Sequence, residues 1–225
     1  MRAGVVMTHT GQPGVVRLGR STLRDQALAV LRQRLVTGAL VPGNIYSVTV
    51  LAAELGVSNS PVREAMLELQ NQGLVEAVRN RGFCVVQLSR QEREDVLEVR
   101  MMLEVPAMAR LAGRAELIDA HDAYGRIAQE ILDAARAGDV LGFLDADRRF
   151  HLGLLELLGN RQLVDVVGLL RDRTRLFADR ESILRSAEEH LDLLRALKSG
   201  DATATTAVMT AHLRHVLQDW SGDAP

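Results

Sequence analysis

Apolar residues recur every three or four positions through most of this chain, the spacing of an amphipathic helix. In residues 21–37 they fall at Leu23, Ala27, Val30, Leu31 and Leu35, behind a Ser-Thr start suited to capping. Gly38 and then Pro42-Gly43 end that helix. The next stretch, TVLAAELGVSNSPVREAMLELQNQG, reads as two helices about a sharp turn. Ala52 is small enough for a close crossing, Gly56 permits the turn, and Val62 anchors the second helix. Ser58 or Ser60 can cap that helix, and Pro61 falls in its first turn, where a missing N–H does no harm. After Gly73 the pattern changes: LVEAV, RNRG and FCVVQL read as strand, turn and strand. The tight, basic turn at Asn80, Arg81 and Gly82 has the composition of a wing.

From Ser89 onward the pattern predicts helices only. They cover 91–112, with a kink near Pro106, and about 115–137, 139–158, 161–179, 181–199 and 201–220. Gly138-Asp139, Gly159-Asn160 and Gly200-Asp201 separate them. The predicted fold is mainly α: a winged helix-turn-helix over 21–88 and an antiparallel all-α bundle of six or seven helices over 89–225. Residues 1–20 read as a flexible tail.

Composition narrows the function classes. No run of about 18 apolar residues occurs, so no membrane span is expected, and the start lacks a signal peptide's apolar core. Cys84 is the only cysteine, which excludes an internal disulfide and suits a reducing cytoplasm. Aromatics at 3% argue against a base-stacking surface. The net charge of -2 conceals an asymmetry: residues 1–88 carry nine Arg against five acids, and residues 89–225 carry 18 basic residues against 24 acids. A basic front and an acidic back imply two domains with different partners.

Helix, helix-turn-helix and wing in this order make a module that reads double-stranded DNA, with Arg63, Arg79 and Arg81 on the elements that face it. The segment GVSNSPVREAMLELQNQGLVEAVRNRGFCVV resembles the GntR family of bacterial transcription regulators. That resemblance implies that Asn59, Ser60 and Arg63 contact bases or phosphates and that Arg81-Gly82 at the wing tip reaches the adjacent groove. Asn59 stands where the family usually has Arg. Arg pairs with guanine and Asn with adenine, so a different half-site or a heavier reliance on Arg63 is expected.

The back half carries a second constellation. Asp147 and His151 are one helical turn apart on a stripe continued by Leu154 and Leu158, so both face inward. His190 shares a stripe with Ile183, Ala187, Leu194 and Leu197, and His212 with Val208 and Val216. His190 lies ten residues before Gly200 and His212 lies 12 after it, which puts both imidazoles at one height in a hairpin. Three nitrogens and one carboxylate then converge on a site for a divalent metal ion, Zn2+, Ni2+ or another borderline first-row ion. The metal would supply the positive charge that a buried Asp147 requires. His215 competes with His212; His121 and His9 lack this geometry.

The same half resembles the FCD domain of FadR-type GntR regulators, through REDVLEVRMMLE, DRRFHLGLLELLGN, EEHLDLLRAL and AHLRHVL. The resemblance implies a metal on Asp147, His151, His190 and His212 and a small carboxylate effector that meets it beside a pocket arginine, for which Arg100 is the candidate. The expected function is transcriptional regulation, as a repressor, by a cytoplasmic homodimer on a two-fold symmetric operator. A sensor of the metal itself and a metal-dependent hydrolase are the alternatives. The hydrolase needs a placed acid or base, and Glu189, about 100° around the helix from His190, is poorly set for it.

Overall fold

The computed structural model describes residues 22–174 and 180–218. The expected tail, His9 and the side chain of Val216 lie outside the described residues. The front part comprises α1 (Leu23–Val36), β1 (Ile45–Tyr46), α2 (Val48–Leu55), α3 (Asn59–Asn71), β2 (Val75–Val78) and β3 (Gly82–Val85). Six helices follow among the described residues: α4 (Arg90–Leu111), α5 (Ala115–Ala137), α6 (Val140–Glu156), α7 (Arg161–Arg173), α8 (Arg180–Ser199) and α9 (Ala202–Gln218).

Each half has its own apolar core. In the front, Leu31, Leu35, Leu51, Val62, Met66 and Leu69 are buried together. Leu23, expected on that face, is exposed in the first turn of α1, where it lines an open recess with Pro61 and Glu64 of α3. Thr22 caps α1 with Asp25 in a reciprocal pair, and Ser89 caps α4 with Glu92 in the same way. Ser58 holds the N-cap position of α3 without a side-chain cap bond, while the Ser60 hydroxyl donates to Glu64. Gly56 ends α2 at φ +67 and so turns the chain into α3.

Strand β3 lies between β1 and β2 and pairs antiparallel with both. The edge strand β1 was not expected, because two residues after Pro42-Gly43 are too few to show an alternation. It closes the base of the wing through Tyr46 opposite Phe83. In the bundle, α5 packs on α6 and α8, α4 on α9, and α8 against α9 as an antiparallel hairpin. Pro106 lies within a single helix rather than between two; its side chain is exposed, so water can satisfy the carbonyl it leaves unpaired.

Gly82 has φ +129, and a Cβ there would stand 2.1 Å from the Tyr46 carbonyl oxygen. Gly38 also has positive φ, at +73, but open space around it. Gly82→Ala is therefore expected to cost about 2–4 kcal/mol and Gly38→Ala only about 1 kcal/mol. Urea unfolding of the two variants measures the difference, and equal losses would contradict the steric role of Gly82.

Candidate metal centre and DNA-reading surface

Asp147 and His151 on α6, His190 on α8 and His212 on α9 come together in the bundle core, each with a donor atom within 4.8 Å of the others. All four are buried. The stripes that carry them behave as their spacing requires: Leu154, Ile183, Ala187, Leu194 and Leu197 are buried, and Leu158 and Val208 are half-buried. Phe150 packs its ring against the edges of His151 and His190, with centroids 5.4 and 5.1 Å away. The His151 and His212 rings stack at 5.1 Å.

The hydrogen bonds set which nitrogen faces inward. His190 Nδ1 lies 2.6 Å from the Ser186 carbonyl oxygen, and a carbonyl only accepts, so in the neutral ring Nδ1 carries the proton and Nε2 is left as a lone pair. His212 Nδ1 lies 2.8 Å from Glu189, so the same reasoning leaves its Nε2 bare when the ring is neutral. His190 Nε2 is 3.0 Å from His151 Nε2 and 3.1 Å from Asp147 Oδ1. His151 Nδ1 is buried without a hydrogen-bond partner, 3.8 Å from Glu104. Burial holds His151 well below the usual imidazole range, with the positive charge of Arg171 adding to it. Burial also lowers His212, against the opposing effect of Glu189. Three imidazole nitrogens and one carboxylate oxygen, all within 4.8 Å of one another, form a donor set chemically suited to a divalent cation.

Asp147 already has a cationic partner that sequence reasoning missed. Arg171 donates from Nη2 to Asp147 Oδ2 and from Nη1 to Glu104 Oε2, both at 2.8 Å. Glu104 in turn accepts from Arg100 Nε at 2.7 Å, and Arg100 Nη1 donates to Thr174 at 3.0 Å. Burial alone would push the Glu104 carboxyl up, but the two arginines outweigh it and hold it below the usual range. Arg100 is thus buried and committed to Glu104 and Thr174, while Arg171 touches the cluster directly. Glu189 stands behind His212 and His215, on their Nδ1 atoms, so His215 is held outside the four-residue cluster. His121 pairs with Asp122 on α5, away from it.

On the front half, Asn59, Ser60 and Arg63 form the exposed first turns of α3, and Arg79 and Arg81 are exposed on either side of Asn80. Gly82 starts β3 beneath them.

The family model for bacterial regulatory proteins of the gntR family matches residues 23–85, and the FCD domain model matches residues 95–215. The chain belongs to the GntR family and carries an FCD domain. An HTH-type transcriptional regulator from an unstable DNA locus of Streptomyces ambofaciens is 30% identical over 207 residues, covering 89% of this chain and 86% of its own. The gluconate operon transcriptional repressor of Bacillus licheniformis is 26% identical, with 82% and 79% covered. Among solved structures, E. coli McbR/YncC superposes with a TM-score of 0.71 at 22% identity, over 89% of this chain and 99% of that one. This GntR-family protein is a DNA-binding transcriptional regulator, not an enzyme, and its FCD domain is an effector-binding module. No helix among the described residues is long and apolar enough to cross a membrane.

Replacing Arg171 by Met leaves two carboxylates facing each other in the core with less positive charge between them, at an expected cost of about 3–5 kcal/mol. Arg148, which pairs with Asp172 with its own side chain 41% exposed, is expected to cost under about 1 kcal/mol on the same change. Denaturant titrations of the metal-free protein test this, and similar costs at both positions would refute the buried-network account.

Proposed function

We propose that this regulator holds one divalent cation, Zn2+ or Ni2+, on Asp147, His151, His190 and His212, and that a small carboxylate binding beside it alters operator affinity. The observation that carries this reading is the direction of the imidazoles. His190 and His212 have their Nδ1 atoms engaged on Ser186 and Glu189, which leaves Nε2 of each as the ligand atom, and His190 Nε2 lies against Asp147 Oδ1 and His151 Nε2. Such outer partners fix ring orientation and raise ligand basicity at metal sites. Arg171 occupies Asp147 Oδ2, so Asp147 offers the cation a single oxygen, Oδ1. With four protein donors, an octahedral ion keeps positions for an added carboxylate, whereas a tetrahedral ion closes. Arg171 Nε is buried without an acceptor and supports an anion at the same place; Arg100, one ion pair further out, is the second arginine in reach of such a ligand.

The DNA side of the proposal assigns Asn59, Ser60 and Arg63 to one groove and Arg79, Arg81 and Gly82 to the next. The division at residue 88 separates this unit, 21–88, from the effector unit, 89–225. A homodimer acting in the cytoplasm on a two-fold symmetric operator, as a repressor, completes the reading; the gluconate operon repressor similarity supports its sign.

Purified protein is expected to contain about one ion per chain, and EDTA is expected to lower its melting temperature because the ion binds only the folded state. His190→Ala and His212→Ala should abolish retention of the ion, Glu189→Ala should weaken it by about 10–100-fold, and His121→Ala should change nothing. A wild type without bound metal after incubation with Zn2+ or Ni2+, by elemental analysis, contradicts the proposal.

In gel-shift titrations Arg63→Ala is expected to cost about 1–3 kcal/mol per half-site and Arg81→Ala to weaken binding with a smaller salt slope. A screen of small carboxylates should find one that shifts operator affinity only when metal is present. If metal alone switches the protein and no carboxylate has an effect, the ion is the signal.

A further inference from the structure

The last turn of α7 reaches both halves of the molecule. Two residues apart, Arg171 engages the buried cluster and Arg173 engages the DNA-reading half. Arg173 lies along the end of α3: its Cδ, Cγ and Nε stand 3.3, 3.5 and 3.6 Å from the position a Cβ on Gly73 would take. Its Nε is buried with no hydrogen-bond partner, and so is Oε1 of the neighbouring Gln72. A buried donor and a buried acceptor, each unmade on segments in contact, carry a cost that a small relative shift can remove. The positive charge of Arg173 also acts on Glu92, in the first turn of α4, though the hydrogen bonds from Ser89 are the larger influence there.

We propose that Arg173 reports the state of the Asp147 cluster to the recognition helix α3, with Arg171 as the transmitting residue on the same helical turn. The inference rests on the metal reading above. Asp147 divides its charge between Arg171 on Oδ2 and whatever faces Oδ1. When a cation takes Oδ1, Asp147 holds Arg171 less strongly, and the guanidinium gains weight on Glu104, which it already contacts. Arg171 and Arg173 belong to one turn of rigid helix, so a displacement of the first carries the second across Gly73 and Gln72. Gly73 is needed for this contact as well as for its positive φ, since any side chain there would meet the Arg173 stem.

The test uses the full-length protein with Zn2+ as the probe and follows amide hydrogen exchange across residues 69–76. In wild type, Zn2+ is expected to change exchange there by about fivefold or more; in Arg173→Met and in Gln72→Leu that response should vanish while Zn2+ affinity stays within about twofold. Two variants on opposite sides of the contact guard against a folding defect in either. Retention of the response in both variants overturns the proposal, and so does Zn2+ binding to wild type without any change in that stretch. A wild type that takes up neither Zn2+ nor, when the experiment is repeated with it, Ni2+ defeats the metal reading and this inference together, and its ion content identifies that case.

Discussion

A carboxylate placed in the core of a helical bundle needs positive charge close by, and most of the back half is arranged around that requirement. Transfer of an isolated carboxylate to an apolar interior costs several kcal/mol even after relaxation. Asp147 meets the requirement with Arg171, which brings its own desolvation cost and passes part of it to Glu104, Arg100 and Thr174. The chain of partners ends only when every strong charge in it has an opposite. Helices α4, α6 and α7 are thereby fixed in register as well as packed. Apolar side chains of equal volume would pack these helices too, but would tolerate slippage along their axes.

The histidines obey a different logic. They need no charge when buried neutral, but each ring has two nitrogens, and the choice between them must be imposed from outside. Ser186 imposes it on His190 from the preceding turn of the same helix, and Glu189 imposes it on His212 from the neighbouring helix. His151 has no comparable partner on Nδ1, and its hydrogen-bonding contact is on the other side, where Nε2 lies 3.0 Å from His190 Nε2.

Much of this was legible in the sequence because it follows from period and spacing. The distances of His190 and His212 from Gly200 placed two imidazoles at one height, and the i, i+4 step placed Asp147 beside His151. The wing was legible because its turn residues are unambiguous. Arg171 and Glu104 were not. Arg171 stands in RDRTR, where three arginines alternate with other residues and nothing in the string distinguishes one. Glu104 lies in the second half of α4, a helix whose first half is crowded with acids, most of them exposed. Their pairing depends on how α4 crosses α7, a tertiary quantity that periodicity does not contain. Assigning the charge of Asp147 wholly to a metal was the cost of that omission. The two-residue strand β1 escaped for a simpler reason: it owes its existence to the edge of β3.

The turn at Gly200 is where this architecture has least freedom to change length. A Cβ on Gly113 would come within 2.9 Å of the Gly200 Cα, and the Gly113 N–H donates to the Leu197 carbonyl, so the α4–α5 turn is seated directly on the α8–α9 turn. An inserted residue has no slack loop to enter. It would have to be absorbed into α8 or α9, rotating one imidazole by about 100° relative to the other. The hairpin tip is therefore held to its residue count by the same requirement that holds His190 and His212 at one height.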